Sequence, residues 1–130
     1  MNLTMQQVIE FHTVYSIIKD QEMSVKLAYR LNQIEEICEK KSNFYEITMR
    51  DIITRYSEKD SDGNPVFLED NKSVKIKSDS IAECTEKIQE LAELEVEVPD
   101  ISFTLEELGD IKLSLTEVKA LMPFIKENKE

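Results

Sequence analysis

Glycine and proline are nearly missing: the 130-residue chain holds 2 and 3 of them. So few breakers exclude a many-turned β-sandwich and favour long uninterrupted elements, hence helices. Also missing is any apolar run near the roughly 20 residues that cross a bilayer, so no membrane partner is expected. The opening stretch Met1-Asn-Leu-Thr-Met-Gln-Gln7 has no basic segment followed by an apolar one, and a secretory leader is not expected either. Cysteine is limited to Cys38 and Cys84. Both fall on expected apolar helix faces, which fits buried thiols in a reducing compartment. Cations are in the minority, 16 against 27 acidic side chains, for a formal net charge of −11. Direct nucleic-acid binding is thereby disfavoured, because each phosphate contact needs a local cation.

What is present is a globular composition, 41% apolar and 33% charged, in a length that suits one domain over residues 1–130. The expected fold is mainly α (α+β): a long central helix packed by two shorter ones, a β-hairpin at one tip and a small C-terminal cap. Thr4-x-x-Gln7 is a capping box, and Val8, Phe11, His12, Tyr15 and Ile18 line one face of a first helix over 4–19. Ser24 caps a second helix over 24–57. Its seam, Leu27, Leu31, Ile34, Cys38, Lys41, Tyr45, Thr48 and Ile52, follows a strict 4-3 spacing, with Lys41 and Thr48 as its weak points. A turn cluster from Glu58 to Pro65 leads into β-favouring runs that predict a hairpin over 65–77. Ser80-x-x-Glu83 opens a third helix over 79–94, whose apolar face is Ile81, Cys84, Ile88 and Leu91. The strand-like Glu95-Val-Glu-Val-Pro99 begins a strand and helix cap over 95–126. Within it Ile101–Leu108 and Ile111–Val118 form a near-repeat at an offset of ten, each with its own capping box, Thr104-x-x-Glu107 and Ser114-x-x-Glu117. Gly109 is placed to end the first copy.

Chemistry-bearing patterns are sparse. Numbered from Glu58, the acids Glu58, Asp60, Asp62 and Glu69, with Asn64, occupy calcium-loop positions, and Gly63 sits at the sixth. Glu at the first position, Pro65 within the loop and a poor exiting helix argue for an acidic turn into a hairpin instead. His12 has no partner at ligand spacing and reads as packing on a helix face. Neither cysteine has a cation placed to activate it. The neighbouring carboxylates Glu35-Glu36 and Glu106-Glu107 diverge by about 100° on a helix and read as solvated faces. No phosphate loop, dinucleotide fingerprint or nucleophile elbow occurs, so no catalytic residue, metal or cofactor is expected and the chain does not read as an enzyme.

Tyr29, Phe44, Tyr45, Met49 and Tyr56 give the long helix apolar residues on more than one face. That distribution marks a candidate surface for a protein partner or for self-association. The negative charge itself reads as a solubility device. Alternatively, rows of carboxylates imitate a nucleic-acid backbone and inhibit a host defence or nucleic-acid-processing protein.

Leu3-Thr4, Lys26-Leu-Ala-Tyr29, Arg55-Tyr-Ser-Glu-Lys-Asp60, Asp62-Gly-Asn64, Glu95-Val-Glu-Val-Pro99, Leu115-Thr116 and Ala120-Leu-Met-Pro-Phe-Ile125 occur in that order. In this the chain resembles a family of small phage and prophage proteins whose function is not established. The likeness covers most of the chain and supplies no catalytic residue. It implies a phage product of the bacterial host cytoplasm or the virion, and the expected role is a virion-associated or assembly factor working by contact.

Overall fold

A computed structural model describes residues 1–70 and 73–126. It is mainly helical and divides into two compact units. The first is Met1–Ser42 with the segment from Glu95 onward, and the second is Asn43–Leu94. The long helix expected at 24–57 is present and unbroken as α2, Val25–Tyr56, and it contributes its first part to one unit and its second part to the other.

In the first unit, strand β1 (Asn2–Thr4) runs directly into helix α1 (Met5–Ile18). Thr4 does two jobs there. It ends the strand, and its hydroxyl accepts from the Gln7 amide while the Gln7 side chain accepts from the Thr4 amide, the reciprocal cap read from the sequence. Strand β2 (Glu95–Glu97) pairs antiparallel with β1, Leu3 opposite Val96, and these two central residues are buried. β1 was not expected, because three residues are too few to show a period of two. It supplies the ladder that the strand-like Glu95–Val98 stretch requires.

The two copies of the near-repeat become α4 (Leu105–Leu108) and α5 (Leu115–Leu121), and both capping boxes form. Gly109 ends α4 at φ +57°, a backbone state that side chains disfavour. A 3₁₀ turn, Met122–Phe124, follows α5. Phe103 then bridges the segment beyond it, donating to Phe124 O and accepting from the Lys126 amide. The Gln21 amide group acts as a stand-in for backbone, donating to Lys112 O and accepting from Lys112 N. The interior gathers Val8, Phe11, Val14 and Ile18 of α1, Leu27, Leu31, Ile34 and Cys38 of α2, and Phe103, Leu121 and Phe124. Phe11 and Phe124 meet edge to face with ring centroids 5.0 Å apart, a favoured aromatic geometry.

The second unit is built differently. It holds residues 43–56 of α2, helix α3 (Ile81–Ala92) and the chain between them. Of the hairpin expected over 65–77 the structure has one isolated antiparallel bridge, Phe67 with Val74, while Lys59 with Pro65 and Ser57 with Ile76 bridge to the chain before it; Asn71 and Lys72 lie outside the described residues. Three segments close on one another. Glu58 N donates to Lys75 O, Lys75 N to Val66 O, and Val66 N to Glu58 O. This ring of bonds satisfies backbone groups that a two-stranded hairpin would leave at an open edge. α3 starts as expected, but the Ser80 box does not form: Ser80 is in the helical region and makes no side-chain cap. Its intended partner Glu83 is engaged elsewhere, accepting from the Tyr56 hydroxyl at 3.2 Å.

The seam of α2 also departs from expectation. Lys41 is exposed and Ser42 is buried in its place, and the stripe continues through half-buried Met49 rather than through Thr48 alone. Leu27, Leu31, Ile34, Cys38, Ser42, Tyr45, Met49, Ile52 and Tyr56 have an average spacing close to that of a straight α-helix. The strict 4-3 reading assumed the 3.5-residue period of a supercoil.

Candidate functional site

His12 and Glu35 correct two readings at once. Glu35 is not part of a solvated face: it is 7% exposed, while Glu36 beside it is exposed. His12 is not merely packed, since its Nδ1 lies 3.0 Å from both Glu35 carboxylate oxygens. With the carboxylate ionised, Nδ1 carries the hydrogen and donates. Burial pushes the Glu35 carboxyl up, and the bond from His12 opposes that rise. The missed signal is positional: Leu31, Glu35, Cys38 and Ser42 share one helix face, so an acid stood within the buried stripe. Glu107 is likewise tied down, closing the Thr104 cap and pairing with Arg30. Its carboxyl is held below the usual range, first by the Thr104 backbone amide and then by Arg30. Glu106 is exposed.

Burial raises the Cys38 thiol to about 12, with the nearby Glu35 charge adding to the effect. Burial raises Cys84 as well. A thiol so protonated is a poor nucleophile at neutral pH. Among the described residues no three His, Cys, Asp or Glu groups converge as a metal site. In the calcium-like stretch the Asp60 carboxylate accepts from the Asp62 and Asn64 amides of its own turn. Gly63 there takes φ +82°, and the Glu58 carboxylate faces Lys75 at 3.4 Å. Asp62, Asn64 and Glu69 are exposed. The stretch is thus an acidic turn that leads into the bridged arms.

The candidate partner residues fall into two sets. Tyr29 and Phe44 are exposed, at 64% and 49%. Tyr45, Met49 and Tyr56 are half-buried and pack on the second unit's small core, the buried trio Ile52, Cys84 and Leu91. Tyr45 and Met49 also line an open groove of about 700 Å³ with Ile53, Pro65, Phe67 and Val74, flanked by Glu46 and Arg50. Phe67, which the sequence did not single out, is 54% exposed on this groove. A smaller recess on the α3 side is lined by Phe44, Leu91 and Leu94, with Asp51, Arg55, Lys87 and Glu90 also on it. Taken alone, the second unit buries three apolar side chains among its described residues, and it leaves Phe44, Ile47, Phe67, Leu68, Ile81 and Leu94 exposed.

That imbalance is the chemistry available at the site: apolar area not yet removed from water. No described helix is long and apolar enough to cross a membrane. Comparison of the chain with protein-family models, curated proteins and solved structures returns no match.

Proposed function

We propose that this chain works without catalysis, by protein–protein contact, as a virion-associated or assembly factor of a phage, and that the second unit provides the contact surface. The observation that carries this reading is the ratio of buried to uncovered apolar side chains in residues 43–94. A unit of that size with so small an interior gains stability when a partner covers its grooves, at about 25 cal/mol per Å² of apolar area buried. The raised thiols and the pairing of His12 with Glu35 support the non-catalytic part. The phage setting rests on the sequence resemblance alone, and with it the host cytoplasm or virion as location. The inhibitor reading draws no support from α2, where Lys40, Arg50 and Arg55 interrupt the acids.

The test is a paired capture from phage-infected cells and from purified virions, using the wild-type chain and a Met49→Glu/Phe67→Glu variant. A virion component retained by the wild type and lost by the variant supports the proposal. Identical captured sets would overturn it.

A further inference from the structure

We infer that the open edge of β2 takes up an extended segment of another protein as a third, antiparallel strand, one that carries cations at two alternate positions. The site lies wholly in the first unit and is independent of the contact surface proposed at residues 43–94. Its location follows from the phase of the β1–β2 ladder. The Met1 ammonium donates to Val98 O and the Val98 amide donates to Met1 O, both at 2.9 Å. Bonded pairs of this kind alternate with unbonded ones along antiparallel strands. With Asn2 opposite Glu97 and Leu3 opposite Val96, the next bonded pair is Leu3 with Val96. Asn2, Thr4, Glu95 and Glu97 therefore turn their backbone groups away from the ladder. Thr4 agrees with this phase, because its amide donates to Gln7 Oε1 of α1. That bond closes one of the two outward positions of the β1 edge. Glu95 and Glu97 keep theirs. Both are exposed, and among the described residues no hydrogen bond reaches their outward backbone groups. Pro99, the next outward position, has no amide and ends the edge.

The same two residues select the occupant. Their side chains share the exposed face of the strand, while Val96 and Val98 are buried on the other. A second copy fits badly, since two β2 edges set antiparallel about Val96 would oppose Glu95 to Glu97 twice. Among the described residues neither acid forms an ion pair. From Glu95 to Ile111 the chain holds six acids and no lysine or arginine. Helix α1, which packs on this sheet, adds Glu10, and its His12 is held by Glu35. The residues of an added strand that bond at Glu95 and Glu97 are two apart and face the same side as the acids, with Cβ atoms about 5 Å from theirs. Lysine or arginine at both places satisfies both carboxylates. The residue between them falls on the Val96 side, where a β-branched side chain suits the half-buried pleat. Backbone bonds hold such a strand and alternate side chains choose it, the division found in strand addition.

The probe is a cyclic hairpin peptide with Thr-Lys-Val-Lys-Thr on one strand, titrated into the whole chain at low salt. Amide exchange at Glu95 and Glu97 should slow at least about fivefold at saturation. N-methylation of the two lysine amides keeps the charge but removes both donors, and should weaken binding about tenfold or more. Glu95→Lys with Glu97→Lys should weaken it as much, and the same hairpin with Glu-Val-Glu should bind that variant as the lysine peptide binds wild type. Circular dichroism should show the variant as helical as wild type. Equal binding of the N-methylated peptide would reduce the interaction to charge attraction and overturn the proposal, as would no binding. Protection of Glu95 and Glu97 that rises with the concentration of the chain alone would make a second copy the occupant, and would also overturn it.

Discussion

A carboxylate set between Leu31 and Cys38 on a helix face must keep its water or find a donor. Glu35 finds His12 on α1. Its carboxyl is raised chiefly by burial, so the folded chain holds that proton to higher pH than the unfolded chain does. The linked stability is therefore full at acid pH and is lost as pH rises through the folded pKa. Urea unfolding of the wild type and of Glu35→Gln across the carboxylate range should show the variant gaining relative stability as pH rises. A pH-independent difference would contradict this environment. Glu107 has the opposite sign: its lowered carboxyl adds stability that is lost as pH falls. At this scale the sequence was readable only in part. The acid's position on the helix was visible, but its donor comes from another element 23 residues away.

Helix ends show the same contrast between local and distant causes. Three of the four capping boxes formed because both partners lie within one turn and nothing competes for them. The fourth failed because Tyr56 takes Glu83. Thr4→Ala should cost about 1 kcal/mol and Ser80→Ala less than about 0.5 kcal/mol, compared by chemical denaturation. Equal losses would show that Ser80 does cap α3. The long helix was legible in full, since no glycine or proline lies between Ser24 and Ser57. Its exact buried face was not, because a 3.5- and a 3.6-residue period diverge only after several turns. β1 escaped notice for want of length.

Across the whole molecule, burial is uneven between the two units. In the first, Phe11 and Phe124 anchor an interior drawn from α1, α2 and the C-terminal segment. Phe11→Ala should destabilise it by roughly 3–5 kcal/mol, read as a large fall in the unfolding midpoint. In the second, apolar periodicity predicted the helices but could not say how few of their side chains would be covered, since burial depends on what lies opposite. Low burial with exposed apolar side chains is also what makes a region open locally. Amide hydrogen exchange on dilute chain, resolved along α2, tests this most directly, because one helix serves as its own control. Amides at 45–56 should exchange at least about tenfold faster than those at 30–38. Uniform protection along α2 would mean that the second unit is already complete without a partner.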